Sequence, residues 1–280
     1  MEFLEIFKAI LLGIIEGITE WLPISSTGHM ILLDEFVKLN ISSEFKEMFF
    51  VVIQLGAILA VPVLFFNKLN PFSRKKTETQ RRGTWMLWAK VIVGALPAAI
   101  IGVLLDDFFD KYFYTYYVVA IALIVYGIGF ILVERLKKGK SFRVESVDEL
   151  SFKDALTIGT YQILSLIPGT SRSGSTILGG MLSGVSRTAS AEFSFFMAIP
   201  IMLGASLLKI VKFLAEGFSA TNTEIILLLV GIVVSFLVSL FSIKFLMDFV
   251  KRHDFKPFGI YRIVLGVLIL GYFVIKTLLI

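Results

Sequence analysis

The chain has no cysteine and only two histidines among its 280 residues. A disulfide framework and thiol chemistry are therefore excluded. Charge is scarce as well. Asp, Glu, Lys and Arg make up 18% of the residues, where a soluble domain carries about a quarter. Apolar residues fill the space at 56%, and mean hydropathy is +0.85. The apolar/polar alternation of a membrane β-barrel is missing. In its place stand continuous apolar windows of roughly 18 to 20 residues, each long enough to cross a bilayer as a helix. Met1–Glu5 also lacks the basic n-region of a cleaved signal peptide, so this segment is expected to be retained. The net charge of +5 reads as cytoplasmic Lys and Arg loops and not as nucleic-acid binding. The expected class is an all-α polytopic membrane protein, with the lipid bilayer as its surroundings.

One constant offset, 145 residues, aligns the two halves of the chain. Phe7-Lys8 falls on Phe152-Lys153, Pro23 on Pro168, Ser26 on Ser171 and Glu47 on Glu192. Matches of Lys, Pro, Ser and Glu at one spacing carry weight that Leu and Ile matches cannot carry in so apolar a chain. The expectation is a single membrane domain, 1–280, made of repeats at approximately 1–135 and 146–280. Spans are expected at 48–66, 86–105 and 115–133, and again at 193–211, 225–243 and 260–278. Segments 4–24 and 27–40 are too short or too interrupted to cross separately. They read as a re-entrant helical hairpin turning at Ser25–Gly28, and 154–167 with 173–186 read as its counterpart, turning at Gly169–Arg172. Non-helical backbone is tolerated at membrane depth only where it is packed in protein or lines a wet cavity.

Loop charge orients the chain. Loops 67–84, 134–153 and 251–257 are rich in Lys and Arg and are expected inside. Loop 106–113 carries Asp106, Asp107 and Asp110, and loop 215–224 has no Lys or Arg, so both are expected outside with the two termini. Three crossings per half is an odd number, so the second repeat should be inverted relative to the first. The two hairpins would then enter from opposite faces and meet near the midplane, an arrangement in which broken helices build a central site. Lys209 and Lys212 fit this scheme less well unless they snorkel.

Two polar runs interrupt the apolar sequence, Glu16 to His29 and Pro168 to Thr176. Ionisable groups at membrane depth are costly and mark function by default. Glu16 and Glu20 lie four residues apart on one helix face. Such a pair can hold Mg²⁺ or Ca²⁺ through oxygen ligands, or one carboxylate can act as a base. The alternative is two glutamates facing water or pairing with Lys8. Ser25 or Ser26 can cap the helix that follows Pro23, leaving free amides that attract an anion. Ser26 becomes a nucleophile if Glu20 or His29 takes its proton, and His29 is a candidate general acid or base. In the second run the planar fork of Arg172 suits phosphate. Ser171, Ser173, Ser175 and Thr176 surround it, and Gly169 lets the backbone approach closely. These charges do not repeat at the offset of 145. One half holds the acid and base groups and the other grips an anion.

In these two runs the chain resembles the bacterial undecaprenyl-diphosphate phosphatase family, the bacitracin-resistance proteins. The family's ExxxE motif stands here as Glu16–Glu20, followed by Ser25-Ser26-Thr27-Gly28-His29, and its PGxSRSxxT motif as Pro168–Thr176. Val51–Gly56 and Glu192–Phe195 are similar to the family too. The resemblance implies an enzyme of the bacterial inner membrane that hydrolyses a C55 polyprenyl diphosphate to the monophosphate and phosphate, recycling a cell-wall carrier lipid. It also implies dependence on a divalent cation and a site opening to the outer face. Glu20 and Glu16 would activate the attack or bind the metal, with Ser26 as nucleophile and His29 assisting. Arg172, Ser171, Ser173 and Thr176 would hold the diphosphate, with Ser25, Thr27 and Gly169 beside it. A homodimer is left open among its partners. The competing reading from another class is a polyprenyl-phosphate transporter or flippase, because inverted repeats with broken helices are transporter architecture. A lipid phosphatase of the acid-phosphatase type needs a second histidine after Ser171-Arg172, and none lies between Arg172 and His253.

Overall fold

The computed structural model describes residues 2–279. The side chains of Glu2, Asp34, Glu35, Asp106, Asp107, Asp110 and Leu279 lie outside the described residues. Twelve α-helices are described: α1 Glu2–Thr19, α2 Ser26–Phe36, α3 Ser43–Val52, α4 Gln54–Leu64, α5 Phe66–Leu69, α6 Glu78–Phe113, α7 Tyr116–Lys137, α8 Phe152–Gln162, α9 Arg172–Leu182, α10 Arg187–Ala215, α11 Asn222–Arg252 and α12 Lys256–Leu279. Among the described residues, six helical stretches are long and apolar enough to cross a membrane: Ser43–Leu64, Glu78–Leu105, Tyr116–Lys137, Arg187–Ala215, Asn222–Arg252 and Lys256–Leu278. Each overlaps one of the six expected spans. Their outward faces stay apolar, as Leu229, Val233 and Leu237 on α11 show at four-residue spacing, each about half exposed. A face of this kind suits lipid.

Several boundaries differ from expectation, each for a local reason. The loop expected at 106–113 is helical, because α6 continues past a non-helical Leu105 to Phe113. The first hairpin helix stops at Thr19 and not near Pro23, and the chain turns over residues 20–25. The turn does not occupy Ser25–Gly28. Ser25 is the cap, its hydroxyl accepting the Gly28 amide at 3.3 Å, so Ser26 already opens α2. Arg172 likewise opens α9, capped by Ser171, and the preceding turn begins at Ile167 after a 3₁₀ stretch, Ile163–Leu166.

Both caps take an unusual backbone. Ser25 has φ 73° and Ser171 has φ 72°, the only positive values outside glycine among the described residues. The caps lie 146 residues apart, and it is Ser25, not Ser26, that shares the backbone and cap role of Ser171. The capping boxes that open α6 and α11, Thr77 with Gln80 and Thr221 with Glu224, lie 144 apart. These spacings differ by one residue to either side of the expected offset of 145.

The packing exchanges elements between the halves. Helix α1 lies on α11 and advances with it: Gly13 meets Gly231, Gly17 meets Ser235, and Ser239 donates to the Gly17 carbonyl at 3.3 Å. Helix α8 lies on α6 in the same sense, with Gly94 against Ala155 and Gly102 against Leu166. Gly159 comes so close to the Gly94 carbonyl that a Cβ would sit 2.0 Å from it. Helices α7 and α12 run antiparallel, with Tyr116 stacked on Phe273 at 4.3 Å and Phe130 against Phe255 at 5.5 Å. The α3–α4 pair and α10 are also antiparallel, fixed by Ser206 donating to the Val51 carbonyl at 3.2 Å and by Lys209 pairing with Glu47 at 3.4 Å. That ion pair gives Lys209 its partner. Ion pairs also gather at the ends of the spans that carry the basic loops, Arg187 with Glu134 and Arg143 with Asp154.

Candidate active site

The site forms where the two hairpin turns meet. Glu20 sits one residue beyond α1, and its side chain is nearly buried. One carboxylate oxygen, Oε1, accepts from Arg172 Nε at 3.2 Å and Nη2 at 3.1 Å. The other, Oε2, accepts from the Ser26 hydroxyl at 2.9 Å. A single carboxylate thus joins the two polar runs across 152 positions of sequence. The alternative pairing with Lys8 does not form, since Lys8 donates to Glu5 at 2.7 Å and to the Lys38 carbonyl at 2.6 Å.

The guanidinium of Arg172 is held from several sides. Nη1 donates to the Ser194 carbonyl at 2.9 Å, and the group lies 5.7 Å from the ring centre of Trp21. Trp21 is itself locked edge-on against Phe195 at 5.1 Å. Thr176 is buried, donating to the Arg172 carbonyl at 2.9 Å and bonded to the Ser194 hydroxyl at 2.7 Å. Ser173 is buried and bonds across the turns to the Glu20 carbonyl at 3.1 Å. Ser175 bonds back to the Arg172 carbonyl at 3.0 Å. These three hydroxyls bind one hairpin to itself and to the other. Ser171 is partly exposed; its hydroxyl caps α9 and lies 3.2 Å from that of Ser173. Gly169 has φ 90°, and a Cβ there would stand 2.4 Å from the Val119 carbonyl, so the second turn can approach α7 only with glycine.

Glu16 lies one turn before Glu20 and is buried, with Oε1 lacking a hydrogen-bond partner. His29 is one turn into α2. Its Nδ1 is 2.7 Å from the Ser25 carbonyl and its Nε2 is 2.7 Å from the Tyr261 hydroxyl, with the two rings stacked. The Ser25 contact requires the proton on Nδ1, which leaves Nε2 of a neutral imidazole to accept from Tyr261. Thr27 is partly exposed in the first turn of α2. Glu16, Glu20, Ser25, Ser26, Thr27 and His29 therefore surround the first turn. Gly169, Ser171, Arg172, Ser173 and Thr176 surround the second, and Glu20 links the groups.

Arg262 is a residue that sequence reasoning missed. It is fully buried on α12. Nη1 donates to the Pro23 carbonyl at 3.0 Å, and Nη2 to the Gly169 and Thr170 carbonyls, both at 2.9 Å. One side chain thus ties both turns together, with Tyr126 under its guanidinium at 5.6 Å. The signal was available, since an arginine inside the expected span 260–278 is itself an intramembrane charge.

Comparison with known proteins places the chain in a family. The model of the bacitracin resistance protein BacA family matches residues 9–268, which include both turns and Arg262. A curated Undecaprenyl-diphosphatase of Enterococcus faecalis is 56% identical over 272 residues, covering 97% of this chain and 99% of its own length. The protein of that name from Desulfitobacterium hafniense is 57% identical over 280 residues, the full length of both. That from Acetivibrio thermocellus is 58% identical over 270 residues, covering 96% of this chain and 98% of its own. Likeness at this level, end to end and through both turns, makes this chain a member of the bacitracin resistance protein BacA family.

Proposed function

We propose that the chain is an integral-membrane phosphatase that hydrolyses undecaprenyl diphosphate to undecaprenyl phosphate and phosphate. Its full-length relatives carry that name. One observation carries the reading on the structural side: the Glu20 carboxylate accepts the Ser26 hydroxyl and the Arg172 guanidinium together. A carrier of cargo needs an anion grip. It does not need a base aimed at a hydroxyl beside that grip.

The residues divide the reaction as follows. Ser26 Oγ attacks the terminal phosphorus as Glu20 Oε2 takes its proton. Polyprenyl monophosphate leaves, and water then releases phosphate from Ser26, the proton returning through Glu20. His29, fixed by Ser25 and Tyr261, sits one turn from Ser26 and is placed to move a proton during that exchange. Arg172 offers its fork to the diphosphate and stabilises the charge that builds on the equatorial oxygens. Ser25, Thr27 and Ser171 bring hydroxyls and helix amides toward the same anion, while Ser173, Thr176 and Gly169 set the shape of the second turn.

The donors fit a hard cation. Glu16 Oε1 is a buried carboxylate oxygen without a partner, next to Glu20. Among the described residues, no group of three or more His, Cys, Asp and Glu side chains could hold a metal alone. One or two carboxylates plus substrate phosphates is how Mg²⁺ is commonly held, and Ca²⁺ also takes oxygens. Glu16 and Glu20 would hold such an ion, which would neutralise charge on the diphosphate. Phosphate release from a polyprenyl diphosphate in detergent, with and without chelator, tests activity and cation together. Turnover is expected to stop with chelator and return with Mg²⁺ or Ca²⁺. A purified protein that releases no phosphate in any condition defeats the hydrolytic reading.

The inverted repeat is the topology that supports such a site. The antiparallel pairing of α7 with α12, and of α3–α4 with α10, is what equivalent helices of oppositely inserted halves would show. The Lys and Arg content of loops 67–84, 134–153 and 251–257 supports a proposed orientation with these loops inside, in the bacterial cell membrane, and the site opening outward. A Lys76→Cys variant of this cysteine-free chain is expected to resist a membrane-impermeant thiol reagent in intact cells; prompt labelling overturns the orientation.

A further inference from the structure

A pocket of about 540 Å³ lies among the chain after α5, the first turns of α6 and the 3₁₀ turn at Val147–Glu149. It shares no residue with the Glu20–Arg172 cluster. Four lysines line it, Lys68, Lys75, Lys76 and Lys90, against one carboxylate, Asp148. Lys68 is already engaged, 2.9 Å from Glu192 and 3.9 Å from Asp148. Among the described residues the other three form no ion pair with a carboxylate.

Lys90 is the most telling of them. It is only 9% exposed, within a helical stretch apolar enough to cross the membrane, and it donates one long bond, 3.4 Å, to the Asp148 carbonyl. An ammonium has three donors and is strongly hydrated. Holding one in such a place without an anion is costly, and an intramembrane charge points to a partner. Lys76 is pinned across the pocket, its Nζ on the Lys68 carbonyl at 3.1 Å and on the Thr84 hydroxyl at 2.7 Å. Burial draws its ammonium below the usual lysine range, and Asp148 opposes this only in part. Asn67, Ser73 and Gln80 add neutral hydrogen-bonding groups.

We infer that this pocket is a second anion site, built for a phosphate group and separate from the hydrolytic centre. Point-charge ammoniums with hydroxyl and amide donors suit a compact oxyanion of high charge. Met86 and Leu87 form an apolar wall beside them, so an alkyl phosphate headgroup and inorganic phosphate share the chemistry the site recognises.

The test measures binding of two probes, decyl phosphate and inorganic phosphate, by calorimetry on full-length protein in phosphatidylcholine nanodiscs, with empty nanodiscs as blank. The background is Arg172→Ala, which removes the grip at the turns. Saturable binding is expected, and Lys90→Met on that background should weaken it about tenfold or more, as loss of a buried charged contact does. If Lys90→Met does not fold, the pair Lys75→Gln and Lys76→Gln at the pocket mouth must weaken it instead. Binding of decyl phosphate alone identifies a lipid headgroup site, and binding of inorganic phosphate as well identifies a site for free phosphate. Failure of both probes to bind, or affinity untouched by the lysine substitutions, overturns the inference. Neither outcome bears on phosphate release by the native protein.

Discussion

Ser25 and Ser171 open equivalent eleven-residue helices in the same left-handed backbone, and each accepts the amide three residues on. The residues around them nevertheless differ in kind. The first turn is flanked by Glu16, Glu20 and His29, the second by Arg172 and buried hydroxyls. The backbone is held in common because a capped helix start asks only for a hydroxyl and free amides, whatever follows. Charge cannot be held in common in the same way. Two carboxylates facing each other, or two guanidiniums, would repel in a water-poor site, whereas one of each makes the Glu20–Arg172 pair. Arg262 stands outside this division, since it bonds main-chain carbonyls of both turns, one at Pro23 and two at Gly169 and Thr170.

The comparison breaks most sharply at Glu20 and Ser26. Ser26→Ala and Glu20→Gln are each expected to abolish turnover while substrate binding survives, and the double variant should be little worse than either, because the pair acts as a unit. Substantial activity in Ser26→Ala with Glu20→Gln dead would assign the attack to a water activated by Glu20 and leave Ser26 as the first residue of α2. On the other side, Arg172→Lys is expected to be nearly as harmful as Arg172→Ala. Charge is kept but the fork is lost, and about 3 kcal/mol of transition-state stabilisation corresponds to roughly a hundredfold in rate. A Lys variant with near-native rates would reduce Arg172 to a structural counter-ion for Glu20.

Arg262→Met sharpens the comparison from the shared side. It strands the Pro23, Gly169 and Thr170 carbonyls in a buried place, which should cost on the order of 3 kcal/mol. Thermal unfolding in detergent should show the loss, and Arg262→Lys should restore part of it. Unchanged unfolding would mean that the turns are held by their own hydroxyls. The smallest effect concerns the caps. Ser25→Ala and Ser171→Ala should each lower stability by about 1 kcal/mol, and the glycine variants by only a few tenths, since glycine adopts positive φ freely. Unequal losses in the two alanine variants, read in the same unfolding assay, would show that the two turns are not equivalent supports.

Apolar length by itself determined six helices long enough to cross a membrane and their approximate places. These follow from the chain's own hydrophobicity, because each span must satisfy its backbone within itself. The motifs were legible for a related reason: Glu16, Glu20, His29 and Arg172 are conspicuous wherever water is scarce. What a linear reading could not reach was the partner of each. Both serines near Pro23 could cap, and only the fold made Ser25 the cap and turned Ser26 toward Glu20. The two caps lie 146 residues apart and not 145, a one-residue difference that a turn can absorb without disturbing the helices. Arg262 went unread because its partners are main-chain carbonyls, which carry no sequence signature. Sequence fixes which groups must find partners. Tertiary structure, by bringing residues 23, 169 and 262 within hydrogen-bonding distance, decides which partners they find.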